Sequence, residues 1–234
     1  MPSLPRWLQL FSNPNTELAK KLQRPALPSL TEAWLEAAID AGLWTVVNPA
    51  TGTPWTLAIH ATGHRVAWAK PIASENCRLY SNVATIYSPL KLQTDAIARV
   101  VCLEFEMKLT TVANIDNAAT FWGFISDPLF PWRTSDDIVG WCLTGDALAS
   151  LSDEGGVETT NTTFGETLTN FNKLRIELSY GHAKFYVNEV LKADHITNLT
   201  ALINTPSWYM ATEGTGQAYI YIGALRTWME DVAR

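Results

Sequence analysis

The sequence predicts an all-β chain, an antiparallel β-sandwich with a short helical N-terminal extension. Three observations carry that prediction. Residues 173–195 read as consecutive strands and turns: Leu174, Ile176, Leu178 and Tyr180 alternate with Lys173, Arg175, Glu177 and Ser179, and Ala183, Phe185 and Val187 resume the apolar face beyond a Gly181-His182 turn. A side-chain period of two is that of a strand with one buried face. Short runs of this kind, separated by turn residues, recur from residue 43 onward, which is the pattern of an antiparallel sandwich. Finally, 234 residues of which 47% are hydrophobic and 17% charged can bury a substantial core and are too apolar for a disordered chain.

Residues 1–42 read as an N-terminal arm and residues 43–234 as the sandwich domain. Pro2, Pro5, Pro14, Pro25 and Pro28 interrupt the arm, leaving room for a short helix ending at Gln23. Ser29, Leu30, Thr31 and Glu32 form a capping box that predicts a second helix, with Leu30, Ala33, Trp34, Ala37 and Ala38 on one stripe and Gly42 at its end. Strands are expected at 43–47, at 55–60 and 65–69 as a hairpin, and near 78–80 and 84–87. Residues 93–98 read as a turn or loop. Residues 99–109 form the longest alternating run. Val101, Leu103, Phe105, Met107 and Leu109 point one way, and Cys102, Glu104, Glu106 and Lys108 the other. Strands at 120–126, 138–143, 147–151, 157–163 and 166–169 follow, with a long loop at 127–137 and a tight turn at 152–156. Asn188-Glu189 makes a turn, and strands at 207–212 and 217–228 close the domain. Val101, Leu103, Phe105, Met107, Leu174, Ile176, Leu178, Phe185, Val187, Ile220 and Ile222 are expected in one core.

Several of these segments resemble concanavalin A-like jelly rolls, the group of laminin-G, legume-lectin and glucanase-like sandwiches. They are Trp122-Gly-Phe-Ile-Ser-Asp127, Leu174-Arg-Ile-Glu177, the segment from Phe185 to Leu191, and Ala218-Tyr-Ile-Tyr-Ile-Gly-Ala-Leu-Arg-Thr-Trp228. The likeness covers the chain from about residue 100 onward and is most similar to the variant in tailed-phage virion proteins. Glu189 departs from it, standing where that group has Gly, which disfavours a two-residue turn with positive φ.

Composition and motifs narrow the function. The 17 basic and 23 acidic side chains leave a net charge of −6, which disfavours nucleic-acid binding. No apolar run approaches membrane-spanning length, and the first residues lack the apolar core of a secretory signal. Cys77, Cys102 and Cys142 have no metal-like spacing and read as free thiols. No P-loop, G-x-G-x-x-G or G-x-S-x-G occurs. Glu104 and Glu106 share a strand face, as the acids of a retaining glycosidase can. The resemblance to glucanases, however, implies a third acid in that row, and Lys108 takes its place. His60, His64, His182 and His195 are scattered, the loop acids Asp116, Asp136 and Asp137 read as solvated, and no metal or cofactor is expected.

What remains is surface. Arg175, Glu177, Lys184, Tyr186, Tyr219 and Tyr221 fall opposite the apolar rows and form a candidate glycan or partner face. Trp7, Leu8, Phe11, Phe130 and Trp132 are candidate partner contacts in the arm and the long loop. With the resemblance, the expectation is a non-enzymatic structural protein of a tailed-phage virion, a capsid decoration, cement or fibre protein made without a signal peptide. Its partners would be the major capsid protein or neighbouring copies of itself in a homo-oligomer, with glycans as a further candidate, and neither nucleic acid nor membrane. The alternative is a lectin-like carbohydrate-binding module. A glycoside hydrolase or polysaccharide lyase comes third.

Overall fold

The computed structural model describes residues 30–32, 34, 38–82, 99–126, 137–199 and 205–231. In chain order the strands are β1 (Leu30–Glu32), β2 (Trp44–Val47), β3 (Thr53–Ile59), β4 (Arg65–Lys70), β5 (Asn76–Ser81), β6 (Arg99–Leu109), β7 (Phe121–Ile125) and β8 (Ile138–Thr144). They continue with β9 (Ala147–Glu154), β10 (Val157–Phe164), β11 (Asn172–Ser179), β12 (His182–Val187), β13 (Val190–His195), β14 (Thr205–Ala211) and β15 (Ile220–Asp231). One eight-stranded sheet runs β13-β12-β11-β6-β15-β4-β3, with β1 beside β15, and one seven-stranded sheet runs β10-β9-β8-β7-β14-β5-β2. All pairings are antiparallel. The fold is therefore an all-β antiparallel jelly-roll sandwich.

The alternation in β6 and β11 decides which face is core. Val101, Leu103, Phe105, Met107, Leu174 and Ile176 are fully buried and pack with Trp122, Phe124, Val139, Trp141 and Trp208 of the second sheet. Edge-on aromatic pairs tie the layers together: Phe105 meets Trp208 at 5.2 Å and Phe185 meets Trp141 at 5.2 Å. Such pairs add about 0.5–1.5 kcal/mol beyond their buried area. All eleven residues expected in one core lie in it.

The second sheet also buries apolar residues on its outer side. Phe121, Ile125, Ile138, Cys142, Ala149 and Leu151 form a separate cluster. There Gly123 pairs with Gly140 across β7 and β8, and the Phe121 ring covers the pair. A Cβ on Gly140 would lie 2.5 Å from that ring.

Several local expectations are corrected, among them the strand at 166–169, which lies instead in the connection between β10 and β11. The capping box at Ser29 does not start a helix: residues 30–32 form β1, which pairs with Leu225, Arg226 and Thr227 of β15 just past the point where β4 leaves it. An unfilled strand edge offers backbone partners that outweigh a local capping signal. Among the described residues the only helical element is the 3₁₀ turn Asn117–Ala119. The turn after β11 is Tyr180-Gly181, so Tyr180 is 65% exposed instead of buried. Ser152 and Asp153 are buried residues of β9, not part of a turn. The turn at Asn188-Glu189 stays two residues long, with φ of 50° and 68°. Asn188 locks it by accepting from Lys173 N at 3.0 Å and donating to Asn172 Oδ1 at 2.9 Å. Trp7, Leu8, Phe11, Phe130, Trp132 and the expected elements at 16–23, 84–87 and 93–98 lie outside the described residues.

Candidate functional site

The outer face of the eight-stranded sheet carries the chemistry. β6 lies between β11 and β15, and its outward row is Cys102, Glu104, Glu106 and Lys108. Register sets the neighbours: Glu104 is opposite Arg175 on β11 and Arg226 on β15. Glu106 is opposite Lys173, and Lys108 is opposite Tyr221.

Glu104 is 8% exposed. Its Oε1 accepts from Arg226 Nε at 3.1 Å, lies 3.1 Å from Arg226 Nη2, and is 3.7 Å from Lys173 Nζ. A guanidinium clamp on a sheltered carboxylate is a strong, charge-assisted contact. Glu104 Oε2 is buried and, among the described residues, has no hydrogen-bond partner. A buried carboxylate oxygen without a donor is costly. Glu106, the next residue in the row, sits 3.2 Å from His64 Nδ1, and the His64 ring is stacked on Phe171 at 4.4 Å.

Around this pair lie two groups of side chains. On the β11–β12 side, Lys173 bonds Glu189 at 2.9 Å, and Arg175 Nη1 is 3.4 Å from the same carboxylate. These cations hold Glu189 below the usual carboxylate range, the Lys173 hydrogen bond being the largest cause, while Glu189 in turn raises Lys173. The Glu189 side chain thus ties its turn to β11. Arg175 also lies over the Tyr186 ring at 4.3 Å and 3.3 Å from Glu177. Tyr186 Oη donates to Glu177 at 2.8 Å. Burial, reinforced by that bond, pushes the Tyr186 phenol up to about 12. It is a fixed donor, not a base.

On the other side, Tyr219 and Tyr221 stand parallel with centroids 6.0 Å apart, and Trp68 stacks beside both. Lys70 covers the Tyr219 ring at 5.0 Å. His60 closes the row: its ring is edge-on to Tyr221 and Phe171, at 5.1 and 5.2 Å. His60 Nε2 lies 3.4 Å from Lys108 Nζ, and Nδ1 is 2.8 Å from Thr62 Oγ1. Burial, then Lys108 and His64, lowers the His60 pKa, so the imidazole is neutral at neutral pH.

All six residues of the predicted face are therefore on one surface, but they do not form one cluster. Arg175, Glu177 and Tyr186 interlock, Lys184 sits across from Glu177, and Tyr219 and Tyr221 belong to the separate aromatic row. Glu104 and Glu106, set aside at the sequence level because of Lys108, lie at the centre. His60, His64, Trp68, Phe171 and Arg226 were not identified. They come from distant segments, and only the outward phase of Trp68 and Arg226 could have pointed to them. Of the ten tryptophans, Trp34, Trp44, Trp55, Trp122, Trp141 and Trp208 are buried. The three cysteines are buried and none is in a disulfide, and no metal-ligating cluster occurs among the described residues. A hollow lined by Ile39, Trp44, Trp55 and Leu57 carries no titratable side chain.

No protein family and no curated protein matches the chain by sequence. Solved structures do match its fold. A β-glucanase from Bacillus licheniformis superimposes with a TM-score of 0.56 at 14% identity, covering 88% of this chain and 99% of that one. A glycosidic hydrolase gives a TM-score of 0.58 at 10% identity over 87% and 96% of the two chains. An alginate lyase of polysaccharide lyase family 7 gives 0.54 at 16% identity over 82% and 96%. The expectation of a non-enzymatic virion protein is corrected by these neighbours, which are carbohydrate-processing enzymes. At such identities they establish architecture, and chemistry has to be argued from this chain's own residues. The chain folds as a concanavalin A-like jelly roll.

Proposed function

We propose that the chain is a polysaccharide-cleaving enzyme, a glycoside hydrolase that works on the outer face of the eight-stranded sheet through Glu104 and Glu106. The observation that carries this reading is the Glu104 carboxylate, sheltered, clamped through one oxygen by Arg226, and left without a donor on the other, with a second carboxyl two residues along the same row. Same-face neighbours on a strand are about 6.6 Å apart along the backbone. That spacing suits the roughly 5–5.5 Å carboxyl separation of a double displacement with retention.

In that reaction the Glu104 carboxylate attacks the anomeric carbon while the glycosidic C–O bond breaks. Glu106, as the acid, gives its proton to the departing oxygen. His64 Nδ1 lies 3.2 Å from Glu106 and orients its carboxyl group. In the second step Glu106 takes a proton from water, the water oxygen bonds the anomeric carbon, and the bond to Glu104 breaks. Arg226 and Lys173 stabilise the Glu104 carboxylate as it leaves. The aromatic row on one side and the Arg175–Tyr186 and Arg226–Trp228 stacks on the other offer edges, hydroxyls and cations to sugar units either side of the cleaved bond.

The test is reducing-end release from a panel of neutral and acidic polysaccharides. Wild type is expected to cleave at least one of them. Glu106→Gln is expected to lower kcat by roughly 10²–10⁴-fold, and Glu104→Gln at least as much. Full activity in both variants would sink the assignment. One observation favours a second reading, β-elimination on a uronate: neutral His60 beside the Lys108 ammonium is a base next to a carboxylate-neutralising cation. Unsaturated product ends, lost in His60→Ala but not in Glu104→Gln, would select it.

A further inference from the structure

We propose that Trp34 is a positioning residue for Glu106: its indole fixes the β15 bulge against which the Glu106 side chain rests. The inference rests on the hydrolytic reading for its consequence, not for its geometry. β15 slips register between Ile222, opposite Met107, and Leu225, opposite Phe105, so Glu106 alone faces both Gly223 and Ala224. A Cβ on Gly223 would lie 2.8 Å from Glu106 Oε2 and 2.9 Å from Glu106 Cβ. Only glycine leaves room for the carboxyl side chain in its observed place.

The backbone of that glycine is held from the other side. Trp34 Nε1 donates to Gly223 O at 2.6 Å within a buried environment. Trp34 is 2% exposed and has φ +52°, a left-handed conformation that a bulky residue keeps only when its surroundings impose it. The surroundings here are an aromatic relay through the sandwich. Trp34 packs on Trp44 at 5.7 Å, Trp44 on Trp208 at 5.9 Å, and Trp208 edge-on against Phe105 at 5.2 Å. Phe105 is the residue between Glu104 and Glu106 on β6. The indole is thus wedged where it touches the second sheet with its ring and the bulge with its N–H. Such a strained, buried donor aimed at one carbonyl reads as a device for holding the bulge. The outcome is a fixed distance from Glu106 to His64 Nδ1, the contact at 3.2 Å.

The experiment compares Trp34→Phe, which keeps a ring and deletes the N–H, with Gly223→Ala, which drives a methyl group onto Glu106, using Glu106→Gln as the reference. The readouts are the ¹⁵N resonances of the His64 imidazole, circular dichroism with thermal melting, and separate kcat and KM. Both variants are expected to fold, to move the His64 resonances toward those of Glu106→Gln, and to lower kcat by roughly 10–10²-fold with KM little changed. His64 resonances that coincide with wild type in both variants overturn the inference, as does a Trp34→Phe chain that fails to fold, which would make the indole a purely structural requirement. If wild type cleaves no polysaccharide, the hydrolytic reading fails, and the His64 resonances still decide whether Trp34 and Gly223 set the position of Glu106.

Discussion

Glu104 and His195 show how differently two buried titratable groups can be used. Glu104 lies on the outward row of β6 and leaves one buried oxygen without a donor among the described residues, a costly arrangement. His195 is turned inward, with Nε2 2.9 Å from Ser150 Oγ and Nδ1 2.9 Å from Ser152 Oγ. Those serines belong to β9 of the other sheet, so the neutral ring pins the two layers together. Burial lowers the His195 pKa below its ordinary 6.5. In the unfolded chain the ring takes up its proton near that ordinary value, while the folded chain resists until lower pH. The pin therefore contributes fully above about pH 6.5 and is lost as pH falls toward the folded value. Melting temperature is expected to drop on acidification through this window, and His195→Gln should flatten that dependence. An unchanged pH profile in the variant would show that the drop has another source.

Strands differ in how far their sequence declares them. In β6 and β11 every second residue is apolar, and the structure keeps that phase from Val101 to Leu109 and from Leu174 to Leu178. Phe105→Ala is expected to cost roughly 3–5 kcal/mol in denaturant unfolding; a loss under 1 kcal/mol would mean that the ring is not packed against Trp208 as described. Gly140→Ala should be destabilising by roughly 1–3 kcal/mol, because the added methyl meets the Phe121 ring at 2.5 Å. A neutral substitution would contradict the glycine trough. The segment 29–42 was not legible in the same way. Its capping box is a real local signal, yet it stands beside the free edge of β15, and no one-dimensional pattern reveals that edge. The site was legible only in part. The outward phase of Glu104, Glu106, Arg175 and Tyr186 follows from alternation. The meeting of His60, His64, Phe171 and Tyr221 depends on strand order, and the orientation of Glu106 depends on a bulge that the sequence marks with nothing more than Gly223.

At the scale of the whole molecule the two sheets divide the work. The seven-stranded sheet buries apolar side chains on both sides, with Phe121, Ile138 and Leu151 on its outer face, and so acts as support. The eight-stranded sheet buries one side and offers a charged and aromatic surface on the other, with the carboxyl pair on its central strand. The proposed chemistry on this surface is cleavage of glycosidic bonds by adding water at the anomeric carbon, with Glu104 displaced. Mass spectrometry of the products formed in ¹⁸O-labelled water tests it most directly, using whichever polysaccharide of the panel the protein degrades. One ¹⁸O atom is expected at each new reducing end, with label and products both lost in Glu104→Gln. Unlabelled, unsaturated ends, or labelled products formed equally well by Glu104→Gln, would contradict it.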